Sequence, residues 1–164
     1  QRSFTIDTSA GPKSCVVREG EVTIDMGRAE FEGPCMVAGH TFQRVRTGNP
    51  HAITFDDVLP EEARRLGPLV GNDALFPQGT NVEFARITPE GIDVFVWERG
   101  AGFTLACGTG AVATAAAAWA SGRVAQGAPV RVALPGGALR IELGDGGAIR
   151  MTGPARHVFT GTLV

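Results

Sequence analysis

The sequence predicts an α+β fold in which a strongly curved β-sheet wraps around one central helix. Three observations lead there. Short apolar or β-branched runs, bounded by glycine, proline and other turn residues, recur along most of the chain. One helical segment, 108–121, is lined by small apolar residues on every side, the mark of a buried helix. At 164 residues and 43% hydrophobic composition the chain has material for one substantial core, so a single domain over 1–164 is expected.

In chain order, strands are expected at 4–8, 15–18, 22–26, 42–46 and 52–55, each rich in Val, Ile, Phe or Thr and each followed by turn residues. A first helix is expected at 60–70. Pro60 suits its first position, Glu61 and Glu62 complement the positive end of the dipole, and Arg64 and Arg65 follow. Strands at 82–87 and 92–97 lead to the second helix, 108–121, whose Val112, Ala115, Ala116 and Trp119 fall at helical spacing and which Gly122 ends. Strands at 130–134, 139–143, 148–151 and 158–163 complete the pattern. There is no internal repeat and no low-complexity linker.

Charge and cysteine content narrow the classes. A net charge of −2, with no basic run or aromatic-interleaved patch, argues against a nucleic-acid partner. No apolar stretch is long enough to span a bilayer, and the first residues carry no signal-peptide pattern, so a soluble, cytoplasmic protein without a membrane partner is expected. Three irregularly spaced cysteines make no disulfide framework and are expected as thiols. Cys35 and His40 lack a second ligand pair, and no metal is expected.

The most informative segment is Glu98-Arg99-Gly100-Ala101-Gly102-Phe103-Thr104-Leu105-Ala106-Cys107-Gly108-Thr109-Gly110, which runs into the apolar helix. Free N–H groups and the positive dipole end at a helix start favour an anion. A thiol there is expected to ionise more easily than at its ordinary value of about 8.5, and the same N–H groups can hold a carboxylate. Gly108-Thr109-Gly110-Ala111-Val112-Ala113 also fits a dinucleotide fingerprint, but the strand just before it and the acidic residue about 20 positions on are both missing. Two readings stay open: a thiol hydrolase with His51 as base, and an inert buried cysteine. Gly48-Asn49-Pro50-His51 sets an amide and an imidazole on a rigid turn, Asn81 precedes a strand, and Glu98-Arg99 ends one. Asn49, His51, Asn81, Glu98, Arg99 and Cys107 are expected to converge on one cleft.

Several motifs then occur in a known order: Asp25-Met26-Gly27, Gly48-Asn49-Pro50-His51, Phe76-Pro77 with Thr80-Asn81-Val82, Glu98-Arg99-Gly100 through Cys107-Gly108-Thr109-Gly110, Pro135-Gly136-Gly137, and Thr152-Gly153-Pro154-Ala155. On these the chain closely resembles the C-terminal half of the diaminopimelate epimerases. The resemblance implies a half built as a mixed, strongly curved sheet around a central helix. It also implies a cofactor-independent epimerisation of LL- to meso-diaminopimelate in lysine biosynthesis, catalysed by two cysteines. By that resemblance Cys107 is one of the two acid–base cysteines, and Glu98 and His51 help set the thiol states. Asn49, Asn81, Glu98 and Arg99 hold the substrate, and the backbone of Gly108 and Thr109 holds its α-carboxylate. The only lysine, Lys13, lies in a turn, which disfavours a pyridoxal Schiff base.

An epimerase needs a base on each face of the carbon, one ionised and one protonated. Neither Cys15 nor Cys35 is followed by the glycine-asparagine turn that the second base carries in the family, so that base is expected outside these residues, in an N-terminal half. Residues 1–23 and 158–164 are expected to pack with that half, and a homodimer is a further expectation. Phe103 stands where many members have a glutamate, which leaves the tuning of the cysteine loop open. Two other readings are a carboxylate- or amino-acid-binding module without turnover and a related amino-acid racemase of the same fold.

Overall fold

The computed structural model describes residues 1–8 and 10–162. In order it contains β1 (Arg2–Thr8), β2 (Gly11–Arg18), β3 (Glu21–Gly27), β4 (Glu30–Val37), β5 (His40–Arg46), β6 (Pro50–Thr54), α1 (Pro60–Gly71), β7 (Asn81–Thr88), β8 (Gly91–Glu98), β9 (Gly102–Thr104), α2 (Gly108–Ala120), β10 (Val130–Leu134), β11 (Gly137–Leu143) and β12 (Ile149–Pro154). The strands form one twelve-stranded sheet in the order β1-β2-β3-β12-β11-β10-β8-β7-β6-β5-β4, with β9 pairing beside β8. Two neighbouring pairs are parallel, β6 with β7 and β8 with β10; the rest are antiparallel. The α+β class with a mixed sheet around a central helix is therefore what forms.

The parallel pairs explain why the two helices lie on opposite faces. Each pair is joined through a helix, β6–α1–β7 and β8–α2–β10, and both crossovers step the same way across the sheet. Their starting strands run in opposite directions, because β7 is parallel to β6 and antiparallel to β8. Crossovers of one hand then deposit their helices on opposite sides.

On the inner face, α2 is buried from Gly110 to Trp119 and touches β5 through β8 and β10 through β12. Alanine on nearly every side lets the sheet close tightly around it. Val94, Val96, Ile53, Ala85, Val132 and Ile141 supply the surrounding apolar layer. Its end carries a Schellman arrangement: Arg123 N–H bonds Ala118 O at 2.9 Å and Gly122 N–H bonds Trp119 O at 3.1 Å, with Gly122 at φ 68°. On the outer face, Ala63, Leu66 and Val70 of α1 pack with Phe42, Val82 and Phe84. Trp97 of β8 lies flat against α1, where a Cβ on Gly71 would come within 1.9 Å of the indole.

Three elements differ from expectation. Strand β4 was not expected, because Gly33-Pro34 interrupts its apolar pattern. It is an edge strand with a register shift between Phe31 and Gly33, and an edge tolerates a proline because that position has no ladder bond to lose. Strand β9 spans only three residues and has no pattern to detect. The strand expected at 158–163 does not form over 158–162, and Leu163 lies outside the described residues. No helix among the described residues is long and apolar enough to cross a membrane.

Gly71→Ala will destabilise the fold by about 1–3 kcal/mol through overpacking against Trp97. Urea unfolding monitored by tryptophan fluorescence checks this, and an unchanged midpoint would contradict the packing described.

Candidate active site

The period of two along the strands selects which side chains face α2. On β7, Val82 and Phe84 join the outer core while Ala85 joins the inner one, so Asn81 and Glu83 share the inner face. On β6, Ala52 is outward and Ile53 inward, which places His51 inward too. On β8, Val94 and Val96 are inward, and Glu98 continues that row at the strand end. The polar residues thus gather around the head of α2.

Cys107 is the N-cap of α2, in extended conformation. Its sulfur accepts from the Gly110 N–H at 3.4 Å and lies 3.5 Å from the Thr109 hydroxyl. The Ala111 N–H bonds the Cys107 carbonyl at 3.0 Å. Gly108 and Thr109 open the helix, so their N–H groups have no carbonyl within it to bond. Met151 of β12 lies against Gly108, 3.1 Å from where a Cβ would stand.

The ionisation of Cys107 runs against the sequence expectation. Burial pushes the thiol up to about 11. The Thr109 hydroxyl and the Gly110 N–H pull the other way, while the negative charges of Glu83 and Glu98 add to the rise. The helix head does favour the thiolate, but desolvation of a residue that is 6% exposed outweighs it.

The other predicted residues fall into linked groups. His51 Nδ1 meets Glu83 Oε1 at 2.6 Å, and His51 Nε2 meets Asn49 Oδ1 at 2.9 Å. With both ring nitrogens engaged there, His51 is not the thiol's hydrogen-bonded base, which removes the support for a hydrolase pair. Asn81 Nδ2 donates to Pro50 O at 3.1 Å, and Asn81 Oδ1 accepts from the Arg99 N–H at 2.9 Å. Asn81 therefore ties the end of β8 to the start of β6. The Arg99 guanidinium donates to Gln78 O at 2.8 Å, and the Thr104 hydroxyl donates to the Glu98 carboxylate.

The motif residues around them have structural work. Gly136 N–H bonds Leu105 O at 2.7 Å, and a Cβ on Gly136 would lie 2.9 Å from that oxygen, so Pro135-Gly136-Gly137 buttresses the cysteine loop. The Thr47 hydroxyl donates to Thr109 O at 3.2 Å, joining the loop before β6 to the head of α2. Position 103 faces α1: Phe103 pairs with Trp97 and lies under Arg64, whose guanidinium is 5.7 Å from the ring. The aromatic residue adds outer-face packing and leaves the Glu98 contact to Thr104.

Sequence reasoning missed Glu83. Its signal was present, since an acidic residue between Val82 and Phe84 shares its strand face with Ala85. The side chain is fully buried, and a Cβ on Gly110 would lie 2.6 Å from its Oε1, which explains the second glycine of Gly108-Thr109-Gly110. A cavity of about 890 Å³ lies elsewhere, on the outer face between Leu59, Phe84, Phe95 and Pro135, and none of the predicted site residues lines it. Among the described residues no group of three or more His, Cys, Asp or Glu is placed to hold a metal ion.

A sheet curved around a buried helix is a fold shared with solved structures. The structure matches a hydroxyproline epimerase from Agrobacterium vitis with bound trans-4-hydroxy-L-proline at a TM-score of 0.71, with 20% identity, over 93% of this chain and 57% of that one. It also matches a phenazine biosynthesis protein from Enterococcus faecalis at a TM-score of 0.67, with 13% identity, over 95% and 62%. Sequence narrows the class. The family model for diaminopimelate epimerase matches residues 44–158. Diaminopimelate epimerases of Geobacillus kaustophilus and Synechococcus elongatus are 40% and 42% identical, over 98% and 99% of this chain. The chain belongs to the diaminopimelate epimerase family. It spans 64% and 65% of the length of those two relatives.

The raised thiol has a consequence for stability. Unfolding exposes Cys107 at its ordinary value of about 8.5. The folded value lies above it, so the contribution is full below about 8.5 and is lost as pH rises toward 11. Urea unfolding followed from pH 8 to 11 will show a fall in stability that is smaller in Cys107→Ser. Identical pH slopes would contradict the burial of this thiol.

Proposed function

We propose that this chain supplies one catalytic half of an amino-acid epimerase that interconverts LL- and meso-diaminopimelate without a cofactor. The observation that carries the reading is the placement of Cys107 at the head of α2, with the sulfur beside the free N–H groups of Gly108 and Thr109. A substrate α-carboxylate on those N–H groups brings its α-carbon next to the sulfur. Family membership and the similarity to named diaminopimelate epimerases support the substrate.

The raised thiol supports a direction for Cys107. A thiol held near 11 is protonated at neutral pH. It therefore serves as the acid, giving its proton to one face of the carbanion while an opposed cysteine, in a complementary N-terminal half, takes the α-proton from the other face. The reverse reaction exchanges the two states. N–H groups at the helix head stabilise the charge that develops on the carboxylate, and closure of the two halves excludes water. Asn49, Asn81, Glu98 and Arg99 hold the remainder of the substrate, with Glu98 near an amino group. The described residues of 1–23 and 158–164 pack with the complementary half in this arrangement.

In deuterated water, the assembled protein will place solvent deuterium at the α-carbon of diaminopimelate and invert it. Cys107→Ala will lose both reactions by at least about 10²-fold. Mass spectrometry and chiral chromatography measure the two, and retained inversion in Cys107→Ala overturns the assignment.

A further inference from the structure

The strands β6 and β7 carry a buried pair that the acid–base step does not itself use. His51 and Glu83 side chains have no exposed surface, and Nδ1 and Oε1 lie 2.6 Å apart. An ionised carboxylate only accepts, so the proton of this bond sits on Nδ1. Nε2 meets the Asn49 amide at 2.9 Å. With the amide oxygen turned to the ring, Nε2 donates as well and the ring is an imidazolium; with the amide turned over, Nε2 accepts and the ring is neutral. The bond to Glu83 is common to both states.

The pair is poorly explained by stability. Glu83 Oε2 is buried without a hydrogen-bond partner among the described residues. Leaving such an atom unpaired costs about 1–3 kcal/mol, and apolar residues of similar volume commonly serve a core as well as a buried ion pair does. The carboxylate is also held in place from α2, because only glycine at 110 leaves room for it. From Glu83, fully buried, the contacts run outward through His51 to the half-buried Asn49 on the loop beside the head of α2. The titratable groups facing Glu83 are His51 from β6 and Cys107 from α2, with Glu98 acting on the same thiol.

We propose that Glu83 is a positioning residue of this site: its buried carboxylate keeps the proton of His51 on Nδ1 and so holds Nε2 and the Asn49 amide in one orientation toward the substrate. This rests on the epimerase reading for its catalytic consequence, though not for the proton placement.

Nitrogen-15 NMR of the three histidines reads that placement directly in the unmodified protein, with His51 assigned by loss of its signal in His51→Gln. A protonated Nδ1 is expected at neutral pH, and His51 protonated on Nε2 alone overturns the proposal. Glu83→Leu, which removes the acceptor, is expected to lower kcat about 10²-fold while KM moves by less than about threefold. Glu83→Gln, which keeps an acceptor oxygen, should recover at least about tenfold of that loss. A folded Glu83→Leu with full kcat overturns the proposal, as does a Glu83→Gln no better than Glu83→Leu. If the unmodified protein fails to invert diaminopimelate, the functional reading fails, and the NMR result still decides the role of Glu83.

Discussion

A helix with no polar side has to be enclosed, and most of this structure follows from enclosing α2. Its ten residues from Gly110 to Trp119 are all buried, so no edge of the helix is left for water. The sheet responds by bending around it, drawing inward-facing side chains from β5 through β8 and β10 through β12 onto one apolar layer. Because the helix is mostly alanine, its backbone lies close to the strands. The polar head of the helix is then surrounded by the ends of those same strands, where its first backbone N–H groups have no partner within the helix.

Close approach has to be allowed for residue by residue, and the glycines do this. Gly110 leaves room for the Glu83 carboxylate, Gly136 lets a turn touch the Leu105 carbonyl, and Gly71 makes space for Trp97 between α1 and β8. A methyl group at any of the three meets another atom at 2.9 Å or less. The same crowding sets the electrostatics of the site. Cys107 sits at the end of a helix that favours its ionised form, yet dry surroundings and two carboxylates keep the proton on sulfur.

Much of this was legible in the sequence, for identifiable reasons. The two helices and most strands were visible because apolar periodicity and flanking turn residues are local signals. The order of short motifs pointed to Asn49, His51, Asn81, Glu98, Arg99 and Cys107 before any contact was known; the structure links Asn49 to His51 and Asn81 to Arg99, and sets Glu98 close enough to act on the Cys107 thiol. What escaped was non-local. Gly33-Pro34 looks like a turn until one knows that β4 is an edge, and Glu83 looks like an ordinary strand residue until His51 is seen opposite it. The direction of the Cys107 shift depends on how much protein surrounds the sulfur, which spacing along a chain does not encode.

The two ends of the sheet are unlike each other. At one end β4 is broken by Pro34 and a register shift and carries Glu30 and Glu32, features that prevent a second strand from adding to it. At the other end β1 runs unbroken for seven residues, paired along its whole length on one side only, with Phe4 and Ile6 exposed near 47% and 46%. Strand addition is therefore unevenly guarded in this chain: the β4 margin is blunted, while β1 presents an unbroken ladder to whatever strand meets it.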